Sequence, residues 1–210
     1  MPAKGDHDEQ HEFLGGRLLP RLRAAERGRR SVLFVGAVHL GCGPFPGYLW
    51  CPVRLLVPGP SGRKRYNVLA APDAVTHRVI RVSSHAHINA GSVCASLREV
   101  ASAGLPGPVT LVLDNARCRK CAAVKALAAS LRIELLYPPS YAPNLNLVER
   151  VWRFVEKGCL GCRVLPTYEA LTAGIDACLA ELDTRHKHAM DTLLTLEFQL
   201  FDEDVPVLAA

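Results

Sequence analysis

The stretch from Val109 to Tyr137 limits the fold more than any other part of the sequence. The apolar run Val109-Thr-Leu-Val-Leu113 suits a buried strand. Cys121, Val124, Ala128 and Leu131 then recur at helical steps, and a second strand follows in Ile133-Glu-Leu-Leu-Tyr137. Strand, helix and strand in so short a span predict a right-handed crossover between parallel strands. That half of the chain is therefore α/β in character.

The region before it has a different period. Val32 to Val35 is a short apolar run suited to a buried strand. Tyr48 to Val57, Tyr66 to Ala71 and Val75 to Ser83 are further strand candidates, and the turn-rich segment 58–65 separates the first two of these. Short strands with tight turns suggest an antiparallel meander. Val93, Leu97 and Val100 then mark a helix that Gly104 and Pro106 end. Residues 9–30 read as helical, although Gly15, Gly16 and Pro20 interrupt the pattern. The basic end of that segment, from Arg21 to Arg30, is at least as well explained by a solvated face as by a DNA contact. Past Tyr137, three prolines enforce a loop before a helix around Glu149. A last helix from about Thr167 aligns Leu171, Ile175, Cys178, Leu179 and Leu182. Periodicity alone supports an α/β fold with a mixed sheet.

Length and composition bound the class. A chain of 210 residues suits one domain with a modest appendage, and 49% hydrophobic with 21% charged residues is ordinary for a globular protein. No run of 18 apolar residues suggests a membrane span, and the polar, acidic start is unlike a secretory signal. A cytoplasmic location is the default expectation. The net charge of +5 is compatible with a polyanionic partner but too mild to identify one. Without an export signal, the eight cysteines are expected to be reduced. Cys118/Cys121 and Cys159/Cys162 form two Cys-x-x-Cys pairs, so a four-cysteine zinc module is one reading. The first pair, however, falls in a segment that reads as helix, and the gap between pairs is long for a zinc ribbon. Buried or incidental thiols are the preferred reading.

Two carboxylates carry the chemistry. Asp114 ends the 109–113 strand, where open α/β sheets expose their ligand sites. Its bland alternative is a cap for the next helix. Glu149 also has one, since Asn146 and Glu149 together resemble a capping box. On the helix, Glu149 lies about 60° from Trp152, on the border of the apolar face formed by Leu147, Val148, Val151 and Val155. A carboxylate there can point along the sheet toward a strand end. Arg150, Arg153 and Lys157 lie on the polar side, where phosphate contacts or plain solvation both fit.

Leu111-Val-Leu-Asp-Asn-Ala116, followed by Glu149 within Pro139-Ser-Tyr-Ala-Pro-Asn-Leu-Asn-Leu-Val-Glu-Arg-Val-Trp152, resembles the catalytic core of bacterial insertion-sequence transposases of the mariner-like DDE superfamily. Gly47-Tyr-Leu-Trp50, Gly62-Arg-Lys-Arg-Tyr-Asn-Val-Leu69 and Thr192-Leu-Leu-Thr-Leu-Glu-Phe-Gln199 extend the likeness over roughly residues 10–201. The resemblance implies an RNase H-like mixed sheet flanked by helices, spanning 31–160. Segment 1–30 would be a helical linker, and 161–210 a helical extension on the same domain.

In that family three acids hold two divalent ions, Mg²⁺ or Mn²⁺, for DNA cleavage and strand transfer. The resemblance makes Asp114 the second acid and Glu149 the third, both metal ligands. The first acid maps onto Gly36, which offers no oxygen, so impaired metal binding and activity are expected. Asp73 is the nearest downstream carboxylate, in a segment that reads as a turn. Ala70 and Pro138 are further departures from the family pattern, and the usual amino-terminal helix-turn-helix region is missing, as in a truncated or split frame. DNA is the implied partner, through Arg63, Lys64, Arg65, Arg150, Arg153 and Lys157, with a homo-oligomer as the assembly. The rival reading is a non-catalytic nucleic-acid-binding or oligomerisation protein on the same scaffold.

Overall fold

The computed structural model describes residues 6–41, 64–84, 87–161 and 167–200. The expected strand at 48–57 and Arg63 lie outside these residues. The sheet contains β1 (Ser31–Gly41), β2 (Arg65–Pro72), β3 (Val79–Ser84), β4 (Val109–Leu113) and β5 (Ile133–Leu136), in the order β3-β2-β1-β4-β5. β1, β2 and β3 pair antiparallel, as the meander predicts. β4 runs parallel to both β1 and β5. The sheet is mixed and β1 is its junction, antiparallel on one edge and parallel on the other.

Alternation along β1 serves two cores. Val32 and Phe34 face the side covered by α2 (Leu19–Glu26), α5 (Val148–Phe154), α6 (Tyr168–Ala180) and α7 (Lys187–Leu193). Leu33 and Val35 face α3 (Ala90–Ser102) and α4 (Ala122–Ser130). The helix stripes that the sequence predicts are the buried ones: Val93, Leu97 and Val100 on α3, and Leu171, Ile175, Cys178 and Leu179 on α6. No helix among the described residues is long and apolar enough to cross a membrane.

Several boundaries differ from the sequence reading for local reasons. The amino-terminal helix runs as α1 (His7–Glu12), a π-helical stretch Phe13–Leu18 and α2. Pro20 has no N–H to give to the carbonyl of Gly16, and its ring would crowd that carbonyl in a regular α-helix. The wider π turns absorb the mismatch without ending the helix. β3 begins later than expected because Asp73 closes a turn: its Oδ1 accepts from the backbone N–H groups of Val75 (2.9 Å) and Thr76 (2.7 Å). Cys118 sits in the 3₁₀ turn Arg117–Arg119, and Cys121 precedes α4 as its N-cap, so that pair does not lie within a helix. Cys94, Cys118 and Cys121 are free thiols, whereas Cys178 is disulfide-bonded, contrary to the expectation of reduced cysteines throughout. The side chain of Cys159, and Cys162, lie outside the described residues.

Two arginines of the basic segment are used internally. Arg21 from α2 and Arg30 before β1 both donate to Glu134 of β5, which also accepts from the Thr110 hydroxyl at 2.8 Å. These bonds, that of Arg21 foremost, hold the Glu134 carboxyl down at about 2 against the opposing effect of burial. A carboxyl more acidic in the folded chain than its ordinary 4.5 stabilises the fold above that range, and the contribution fades as pH falls from 4.5 toward 2. Partial exposure screens the pair, so Glu134→Gln should cost about 1 kcal/mol at neutral pH. In urea unfolding of parent and variant, the difference should shrink toward zero by about pH 2. A gap that stays constant across that window would contradict the assignment.

Candidate active site

The register of the parallel pair brings the site together. Val35 pairs with Leu113, and one residue further the two strands reach Gly36 and Asp114. Both positions continue the face of Phe34 and Val112, the face that α5 covers. On its other edge Gly36 pairs with Ala70. Asp73 is bridged to Leu33, about 10 Å back along β1 from Gly36 at strand spacing, and is committed to its own turn. It does not join the cluster. His39 faces the other way and bonds Asn67.

Asn146 delivers the helix. Its buried Nδ2 donates to the Val35 carbonyl at 3.3 Å, and its Oδ1 accepts from the Val148 N–H at 3.3 Å. One side chain thus ties the end of the paired part of β1 to the first turn of α5. The capping-box alternative for Glu149 does not form: α5 starts from Leu147 with no side-chain cap, and Asn146 is turned to the sheet. Val148, Val151 and Trp152 are buried against the core, and Glu149 lies half-buried at their border, as the helical geometry predicts.

Asp114 and Glu149 line one open cavity of about 390 Å³ together with Pro138, Ser140, Tyr141 and Asn146. Burial, and then the proximity of Asp114, push the Glu149 carboxyl up from its ordinary value, while Arg119 and Arg153 oppose the shift. Asp114 is no helix cap. Its Oδ1 accepts from the Ala116 N–H at 3.0 Å, and its Oδ2 lies 2.6 Å from Nη1 of Arg119. Asn115 reaches across to the Pro138 carbonyl at 2.7 Å, locking the β4 end to the β5 end.

Gly36 is not an open space beside these acids. A Cβ built there would lie 2.2 Å from Cγ1 of Val148 and 3.5 Å from Nε1 of Trp152. That indole nitrogen is buried and lacks a hydrogen-bond partner among the described residues. The methyl of Val148 fills the space that any side chain at position 36 would need.

The basic residues divide. Glu149, Arg153 and Lys157 line a second, larger cavity of about 840 Å³ with Tyr141 and Asn144, adjoining the first at Tyr141 and Glu149. Arg150 lines it too, but its guanidinium donates to the carbonyls of Leu193, Thr195 and Glu197 at 2.6–3.0 Å. It fastens the carboxy-terminal strap, whose Phe198 stacks near Phe34, where the sequence reading had it facing phosphate. Lys64 lies over the Tyr168 ring, and Arg65 pairs with Gly41, about 17 Å along β1 from Gly36 at strand spacing. Those two are separate from the carboxylates. Arg119 and Val148 had no sequence signal as site residues, since each matters only through a partner distant in the chain.

The packing makes a testable demand. Gly36→Ala should destabilise by about 1–3 kcal/mol, because Val148 is held on a packed helix and cannot retreat cheaply. Gly36→Ala with Val148→Ala should be more stable than the sum of the single changes, by roughly 1 kcal/mol or more. Simple additivity in urea unfolding would mean that the two residues do not share this space.

Residues 54–172 match the sequence model of the DDE superfamily endonucleases. Gly36 lies upstream of that span. No curated protein sequence matches the chain. Among solved structures, the fold is similar to that of the Mos1 strand transfer complex (TM-score 0.59, 15% identity, 96% of this chain and 65% of that one). It is also similar to the Mos1 mariner paired end complex with Mn (0.60, 14%, 92% and 62%) and to the catalytic domain of Mos1 mariner transposase (0.57, 14%, 92% and 94%). The chain therefore spans just under two thirds of the longer Mos1 chains and nearly all of the catalytic domain. At such identities the likeness is one of fold, an RNase H-like mixed sheet flanked by helices. With more than half of its length inside the family match, the chain belongs to the DDE superfamily endonuclease family.

Proposed function

We propose that this chain is a mariner-like transposase catalytic domain, of the lineage that cuts and joins DNA strands, whose own cleavage chemistry is impaired at Gly36. The observation that carries the reading is that Asp114 and Glu149 line one cavity, while Gly36, like Asp114 one residue beyond the Val35–Leu113 pair, lies against Val148 and Trp152 of the Glu149 helix. A carboxylate belongs at the first position by family pattern. The buried Trp152 N–H, next to the space a side chain at position 36 would fill and without an acceptor among the described residues, supports that history.

Solved Mos1 complexes include ones with Mn and with Mg. The residues of this chain do not fit a pair of divalent ions. Two carboxylates remain, one is paired with a buried arginine, and the place of the third is filled by a valine methyl. Among the described residues no group of three or more His, Cys, Asp or Glu side chains could hold a metal ion. DNA is the partner this reading implies. Arg153 and Lys157, exposed beside the larger cavity, are placed to meet backbone phosphates next to Glu149. Assembly as a homo-oligomer follows from the same lineage.

A non-catalytic DNA-binding role on the same scaffold is favoured by the incomplete acid set. The two are separated by repairing position 36 with room made for it. Gly36→Asp alone should fold poorly, since the new side chain meets Val148. Gly36→Asp with Val148→Ala should raise Mn²⁺-dependent nicking of supercoiled plasmid over the parent by on the order of 100-fold, given that even outer partners of metal ligands are worth 10–100-fold. Adding Glu149→Gln should abolish the gain. A parent that nicks as fast as the repaired variant, with both dependent on Glu149, would refute impairment at Gly36. Salt-sensitive DNA binding that weakens on Arg153→Ala and Lys157→Ala, with no nicking by the repaired variant, would establish the binding role instead.

A further inference from the structure

We infer that Arg119 is the resident cation of this site and competes with any divalent ion for Asp114. The inference deepens the functional reading above and rests on it, since it concerns the same two carboxylates. Three observations carry it. The guanidinium Nη1 lies 2.6 Å from Oδ2 of Asp114, and the arginine side chain is only 4% exposed while that of Asp114 is 54% exposed. Nε and Nη1 have no hydrogen-bond acceptor of proper geometry among the described residues, so the charge of Asp114 is their compensation. The backbone of Arg119 is fixed at both polar groups: its N–H donates to the Ala116 carbonyl at 2.9 Å, and its carbonyl accepts from the Tyr137 hydroxyl at 2.8 Å.

The asymmetry of burial decides the consequence. A metal ion taking Asp114 must displace the guanidinium, or share a carboxylate with a positive charge at contact distance. Displacement takes the contact carboxylate from a guanidinium whose Nε and Nη1 are buried, leaving Glu149 as the other carboxylate acting on it, and separating an ion pair with one partner buried is unfavourable. Its charge also offsets one of the two remaining carboxylates. Arg119 thus does for Asp114 part of what a metal would do, and it holds the site in a metal-poor state independently of Gly36.

The test is Mn²⁺ binding by the full chain, read from the free-ion signal in electron paramagnetic resonance. Arg119→Gln and the apolar, similarly long Arg119→Met are both used, so that a folding failure of one leaves the other, and circular dichroism confirms the fold of each. Either variant should bind Mn²⁺ roughly tenfold tighter or better than the parent, the scale expected when a contact ion pair with one buried partner no longer has to be broken. Arg119→Lys, which keeps the charge, should gain less. Adding Asp114→Asn should erase the gain. If Arg119→Gln and Arg119→Met bind Mn²⁺ no better than the parent, while Asp114→Asn and Glu149→Gln still weaken binding, the competition is refuted and the site reading survives. Binding that ignores Asp114 and Glu149 in every background would overturn both.

Discussion

The site depends on one side-chain bridge, the Asn146 amide between the Val35 carbonyl and the Val148 N–H. Asn146 is buried, so both of its bonds are made where an unpaired polar group would cost about 1–3 kcal/mol. Through it, the start of α5 is set against the β1 strand at the residue before Gly36. The parallel register of β1 and β4 then supplies Asp114 alongside. Glu149 needs no further device, because the apolar face of α5 fixes the rotation of the helix and leaves the carboxylate at its border. The geometry of an acid cluster is thus held by packing and one amide rather than by the acids themselves.

That separation means that the shape of the site does not depend on a third acid. Burial raises the cost of a charged Glu149, and repulsion from Asp114 adds to it, both pushing its carboxyl up from the ordinary value. On the reading proposed above, glycine in place of a third acid removes repulsion, and the Val148 methyl occupies the space. Arg119 neutralises another. Each change trades charge for packing or pairing, the direction in which stability rises as an active site is relaxed. Trp152 is the exception, a buried N–H without an acceptor among the described residues, next to the space a side chain at Gly36 would fill. Its orphaned donor is a cost the relaxed site still carries.

Much of this was legible in the sequence where the signal is periodic. The apolar run before Asp114, the stripe of α3 and the border position of Glu149 all follow from strand and helix periods and reappear in the fold. The misreadings share one cause. Asn146, Arg150 and the 21–30 arginines were judged by local chemistry as cap, phosphate contact and solvated face. Asn146 also reaches Val35, Arg150 reaches the 193–197 carbonyls, and Arg21 and Arg30 reach Glu134, each far away in the chain, while Arg23, Arg27 and Arg29 are exposed as a solvated face would be. Gly36 was recognisable as an absence, but the methyl filling it was not, since nothing local marks Val148 as its neighbour. Arg119 carried no signal beyond being basic in a turn.

The central claim is that Asp114 and Glu149 face a common space which this chain has closed to metal, by Val148 at one side and Arg119 at the other. Anomalous diffraction from crystals of the parent protein soaked in Mn²⁺ tests it directly. The account predicts no pair of Mn²⁺ peaks between the two carboxylates, with the Arg119 guanidinium still on Asp114 and Val148 against Gly36. Two Mn²⁺ ions about 4 Å apart, bridged by Asp114 and with Arg119 swung away, would contradict it.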